Sequence, residues 1–189
     1  MFTIEVQDNG VQAALQAIAK RASNMQPILQ AIGEEIMERT KERFATGTGP
    51  DGQRWQGNSM ATIQALIAGA RGKKGGVLKN GNLSKKAQTS LAGKKVLIDT
   101  GSLEKEFSPT NKGKTLTVTN NSVTVGSTMK YSAIHQFGGK AGKGKTVTIP
   151  ARPFLPIKQN GELYPAERTK ILDALNDYLA GKYKAPFWS

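Results

Sequence analysis

The sequence contains no cysteine and a single histidine. Without cysteine there is no disulfide, no thiolate metal site and no cysteine nucleophile, a usage that fits a reducing cytoplasm. With His135 alone, any metal site would draw its other ligands from carboxylates, and no carboxylate pair lies near it in the chain. Hydrophobic residues are also scarce, at 38%, which predicts a modest core with part of the chain outside it. There is no long apolar run. The best stretch, Met60 to Ala70, is too short and too interrupted to cross a bilayer, so no membrane association is expected. The opening "MFTIEVQDNG" has no basic segment followed by an apolar one, and it does not read as a signal peptide.

Acid is the other shortage. Asp and Glu number 14 against 27 Lys and Arg, a formal net charge of +13. That excess points to a polyanionic neighbour or an acidic protein surface. The bland reading is a soluble basic protein with no specific anion. A chain of 189 residues suits one domain, 1–189, with an appended arm.

What is present reads as an α+β chain. "FTIEV" predicts a short strand before the Asp8-Asn9-Gly10 turn. Val11, Leu15, Ile18 and Ala22 then recur at helical spacing, up to Ser23-Asn24. Pro27 suits the first turn of a second helix, whose stripe is Ile28, Leu29, Ile32, Ile36 and Phe44. Glu34, Glu35, Glu38, Lys41, Glu42 and Arg43 flank that stripe as a solvated face. "ATGTGPDGQRWQG" is a loop whose Trp55 pins it to the body or meets a partner. Met60 to Ala70 suits a short helix.

The stretch from Arg71 to Lys95 carries Arg71, Lys73, Lys74, Lys79, Lys85, Lys86, Lys94 and Lys95, with no acid. Five glycines interrupt it and few apolar residues are available to bury. It reads as a basic Gly/Lys arm at about 56–95 without a stable fold of its own. Val96 to Ile98 predicts a short strand. Asp99, Thr100 and Ser102 predict caps for the turn at Leu103 rather than chemistry, since Asp99 has no second acid or base at useful spacing.

"KTLTVTNNSVTVG" is the clearest signal. A two-residue Asn120-Asn121 turn with positive φ pairs Val118 with Val123 and Leu116 with Val125, all on one face, with threonines on the other. Tyr131, Ile134 and His135 or Phe137 then make one helical turn closed by Gly138-Gly139. Lys140 to Lys145 is a basic glycine loop leading to a strand at Thr146 to Ile149. Pro150, Pro153 and Pro156 impose an extended path suited to an edge or a subunit boundary. Pro165 opens a last helix with the stripe Ile171, Leu172, Leu175 and Leu179, stopped by Gly181. The tail "KYKAPFWS" carries further aromatics. The elements suggest a small antiparallel sheet packed against N-terminal and C-terminal helices.

Catalysis finds little footing. His135 has no motif partner. It reads as a packing residue donating to a backbone carbonyl at the glycine corner. Gly139, Gly144, Lys145 and Thr146 loosely fit a phosphate-loop spacing, but such a loop joins a buried strand to a helix, and here a proline-broken segment follows. No enzyme and no cofactor are expected.

"RFATGTGPDGQRW", "VLIDTGSLEKEF", "YSAIHQFGG" and "IPARPFLPI" occur in that order. Together they resemble the phage virion morphogenesis family, the tail-completion or head–tail joining proteins of Mu-like contractile-tailed phages. The resemblance runs from Ile28 to about Leu179, and Gln56 to Lys95 is its least typical part. It implies a structural virion protein of the neck, assembled in the host cytoplasm, forming a ring, commonly hexameric, at the head-proximal end of the tail. Its implied partners are copies of itself and the tail terminator, tail tube or head connector. It carries over no catalytic residue and no metal.

The matching positions are Phe44, Pro50, Gly52, Trp55, Thr100, Gly101, Leu103, Tyr131, His135, Phe137, Gly138, Pro150, Arg152, Pro153 and Phe154, which the resemblance makes scaffold and interface positions. Trp55, Tyr131, His135, Phe137, Arg152, Phe154 and Leu155 are the candidate subunit or partner interface. Phe154 and Leu155 would plug an apolar pocket of a neighbour or of the chain itself. The basic arm would lace subunits together or contact double-stranded DNA through phosphates, without reading bases. The reading of a different class is a nonspecific nucleic-acid-binding protein acting free in the cytoplasm.

Overall fold

The computed structural model describes residues 3, 9–59, 62–63, 82, 84–85, 88–89, 95–111 and 115–183. The strand expected at "FTIEV", nearly all of the Met60 to Ala70 helix, the end of the tail, and Arg71, Lys73, Lys74, Lys79, Lys86 and Lys94 of the basic arm lie outside the described residues.

The architecture is α+β. In chain order come helix α1 (Asn9–Ala22), helix α2 (Gln26–Thr46), the short helix α3 (Ser102–Glu106), strands β1 (Leu116–Val118) and β2 (Val123–Val125), and helix α4 (Ser132–Phe137). Strands β3 (Gly139–Ala141) and β4 (Val147–Ile149) and helix α5 (Pro165–Ala180) follow. The strands form two separate antiparallel pairs, β1–β2 and β3–β4, rather than one sheet.

Helix α2 is the axis of the fold. Pro27 sits in its first turn, and Gly47, at φ 69°, ends it by donating its N–H to the Arg43 carbonyl at 2.8 Å. Ile28, Ile32 and Ile36 are buried beneath Ile171, Ala174, Leu175 and Tyr178 of α5. Farther along, Met37 and Phe44 join Trp55, Leu103, Phe107, Leu116 and Phe154 in the main core. There Phe44 stands edge-on to Trp55, with centroids 5.5 Å apart, and meets Phe154 at 5.3 Å.

The β1–β2 hairpin lies on α2 with the expected register, Leu116 opposite Val125 and Val118 opposite Val123. Leu116 is buried, its valines are half-buried, and Thr117 and Thr124 face solvent. Gly33 makes the close approach. A Cβ there would collide with Leu116 and stand 2.9 Å from Val123 Cγ2.

Several expectations need correction. Neither Asn120 nor Asn121 takes a positive φ. The Thr119 hydroxyl instead receives the N–H groups of Asn121 and Ser122, at 3.4 and 3.1 Å, and that side-chain bridge closes the turn. Val96–Ile98 is a turn, because Leu97 holds φ 63°, outside strand geometry. Val11, Leu15 and Ile18 share a face of α1 but are exposed. Leu172 is exposed too, while Ala174 and Tyr178 take the inward positions of α5.

The presumed loop Lys140 to Lys145 belongs to a hairpin, Gly139 opposite Ile149 and Ala141 opposite Val147. Strands on both sides of this glycine-rich turn remove the strand-to-helix geometry that a phosphate loop requires.

Candidate functional site

Three of the four motif stretches meet around the proline segment that follows β4. Its backbone cannot join a ladder, because Pro150, Pro153 and Pro156 lack N–H groups. Side chains replace the ladder. Gln136, from α4, is only 4% exposed. Its Oε1 accepts from the N–H groups of Phe154 and Leu155, both at 2.9 Å. Its Nε2 donates to the carbonyls of Leu155 and Ile157 at 3.0 and 2.8 Å. The amide thereby uses its full bonding capacity.

Three further anchors hold the same segment. Arg43 Nη1 donates to the Phe154 carbonyl at 2.9 Å, and Trp55 Nε1 donates to the Pro153 carbonyl at 3.0 Å. The Arg152 N–H donates to the His135 carbonyl at 2.7 Å. Gly138, at φ 74°, has no room for a Cβ, which would stand 2.9 Å from the Ala151 nitrogen. The "FGG" corner therefore brings β3 back onto the proline segment at backbone distance.

Arg43 also corrects the solvated-face reading of α2. It is buried and pairs with Glu167 of α5, Nη2 to Oε1 at 2.8 Å, while Arg39 Nε meets Glu167 Oε2 at 3.0 Å. Burial lowers the Arg43 pKa from its ordinary range, and the Glu167 carboxylate opposes that shift. Glu106 is a second buried carboxylate, held by the hydroxyls of Ser127 and Thr128 and by the Thr128 N–H at 3.1 Å.

Beside the proline segment lies an open cleft of about 660 Å³, lined among others by Lys95, Asp99, Thr100, Ser102, Tyr131, His135 and Arg152. Thr100 and Ser102 share a hydroxyl contact of 2.7 Å ahead of α3, but the capping expectation is corrected: Gly101 takes the cap position at φ 75°, and no side chain caps the helix. Arg152 is buried and reaches across to the Trp55 loop, donating from Nε to the Gln56 carbonyl at 2.9 Å and from Nη2 to the Gly57 carbonyl at 2.8 Å. Burial also lowers its pKa.

His135 packs edge-on to Tyr131, with centroids 5.9 Å apart. Its Nδ1 is buried with no hydrogen-bond partner among the described residues. The expected donation from the ring is therefore absent at this nitrogen, and the main-chain carbonyl of His135 makes the structural bond. Burial and then the Arg152 charge lower the His135 pKa, favouring a neutral ring. Among the described residues, no group of His, Asp and Glu could hold a metal ion.

The candidate interface residues therefore divide. Trp55, Arg152 and Phe154 are buried within the subunit, and Leu155 is half-buried against its core. Tyr131 and Phe137 are exposed, and His135 lines the cleft. The pocket that Phe154 fills is the chain's own. Of the basic arm, Lys95 reaches the cleft and Lys85 is exposed. Gln136, Glu106 and Glu167 did not stand out in the sequence. No local signal marked Gln136, because the proline segment that it satisfies begins fourteen residues later, beyond the β3–β4 hairpin.

The profile of a family described as Phage virion morphogenesis family matches residues 6–106 and 103–180. The chain is similar to the protein named Mu-like prophage FluMu G protein 2 of Haemophilus influenzae, with 49% identity over 59 residues. That alignment covers 31% of this chain and 38% of the relative's length. No solved structure matches.

Proposed function

Because this chain belongs to the phage virion morphogenesis family, we propose that it is a structural protein of the virion neck, completing the tail and joining it to the head. A role in phage virion assembly, and association with the virion, follow from the family itself. The finer reading places copies in a closed ring, hexameric, around the DNA path at the head-proximal end of the tail. Its neighbours would be the tail terminator, tail tube or head connector, met during assembly in the host cytoplasm.

The family match along 6–180 carries this reading. The architecture agrees with it. Three of the four motifs are tied together by hydrogen bonds, and the fourth joins them in one core through Leu103 and Phe107, as a scaffold requires. A neck ring must let the genome slide, so its contacts to DNA would be weak, electrostatic and blind to sequence. The net charge of +13 suits that task.

The same charge favours the second reading, a nucleic-acid-binding protein acting free in the cytoplasm. Electron microscopy of lysates from a phage lacking this gene separates them. The neck reading expects filled heads and tails of normal length that stay unjoined, repaired by supplying the chain. Normal joined particles would overturn it.

A further inference from the structure

The β3–β4 hairpin is not absorbed by that account. It carries Lys140, Lys143 and Lys145, all exposed, and among the described residues none of them has an ion-pair partner. Gly142, Gly144 and Lys145 take positive φ and shape its tip. Val147, next to the tip and opposite Ala141, is 52% exposed. No acid occurs anywhere between Glu106 and Glu162, so nothing in this stretch of the sequence neutralises the lysines locally.

Helix α2 presents the opposite sign. Buried Glu167 draws Arg39 and Arg43 inward, their side chains only 12% and 7% exposed. The outer side is left with Glu34, Glu35, Glu38 and Glu42 against Lys41. Glu35 and Glu38 stay about half exposed even though they contact Arg39 and Lys41. Glu35, Glu38 and Glu42 fall on one stripe about 10 Å long, at 1.5 Å per residue, comparable with a hairpin tip carrying three lysines. No ion pair joins the two surfaces within the subunit among the described residues. One chain thus carries two different, complementary patches, which is the requirement for a head-to-tail contact that closes into a ring.

We propose that copies of this chain join head to tail, the β3–β4 hairpin of one lying along the α2 carboxylate stripe of the next. The proposal rests on the ring reading above and names its contact. Exposed charges steer and register such a contact, and added salt weakens it.

The test uses two full-length variants, K140E/K143E/K145E and E35K/E38K/E42K, each confirmed folded by circular dichroism and sized by light scattering beside wild type. Each variant alone should run as single chains, since its two patches then share one sign. An equal mixture should recover the wild-type mass, because every junction again pairs opposite signs. High salt should disperse the wild type.

Variants that assemble as wild type does would overturn the proposal while leaving the ring intact. A folded mixture that stays dispersed would also overturn it. If K140E/K143E/K145E keeps its mass and loses only retention of duplex DNA on a gel, the hairpin serves phosphates and the proposal fails. A wild type that never exceeds one chain would remove the ring reading itself.

Discussion

The two hairpins are alike in size and opposite in use. Each pairs two strands of three residues. The first alternates valine and leucine with threonine and lies on α2, its apolar face covered. The second alternates little, buries little and exposes its lysines. Backbone pairing is common to both. Side-chain burial secures the first, while the second depends on its root, where Gly138 and the Gln136 amide hold α4 and the proline segment together. A hairpin can therefore be a structural member or a mounted tool, and its root tells which.

Breaking that root should have the largest effect. Gln136→Leu leaves the N–H groups of Phe154 and Leu155 and two carbonyls without partners. At ~1–3 kcal/mol for each group left dry, with water relieving some, the loss should be about 2–6 kcal/mol in urea unfolding. A loss below about 1 kcal/mol would mean that the proline segment is held by its other anchors.

Leu116→Ala attacks the first hairpin where it meets Gly33, and should cost about 2–5 kcal/mol. Val147→Ala is its counterpart on the second, and should stay within about 0.5 kcal/mol. Equal losses would erase the distinction between covered and uncovered hairpins.

The smallest effect concerns His135, beside the root. Its pKa is lowered in the folded chain, so the fold favours the neutral ring. The resulting stability is fully present above the ordinary histidine pKa of about 6.5 and is lost as pH falls through it towards the folded value. Thermal melts of His135→Gln should lose less stability than wild type when pH drops from neutral into that window. Parallel curves would show that His135 does not titrate with folding.

Legibility in the sequence followed burial patterns. The first hairpin could be read to its register because one face is covered and the other wet, so alternation specified it. Helices α2 and α5 could be read from Pro27, Pro165 and Gly181 together with their stripes. Strand β3 could not, because "GKA" has no strand-forming residue and pairs only because the glycine corner sets it opposite β4. The stripe of α1 shows the limit of periodicity, which says that Val11, Leu15 and Ile18 share a face and nothing about what covers it. Arg43 and Gln136 were missed for a related reason. A polar residue inside a motif looks like surface until the group it satisfies is known, and Phe154 and Glu167 lie far away in the chain.

That distance also bears on how the chain is made. Arg43 waits for the carbonyl of a residue 111 positions later, Arg39 for a carboxylate 128 positions later, and Arg21 for a carbonyl 158 positions later. The ribosome therefore delivers α2 long before Glu167 exists to pair with its inward arginines or Phe154 to complete the cover of Phe44. Contacts of such long sequence separation slow folding and leave apolar surface open meanwhile. A nascent chain halted before Phe154 would hold an unfinished core, and the fold can close over α2 only once α5 has emerged.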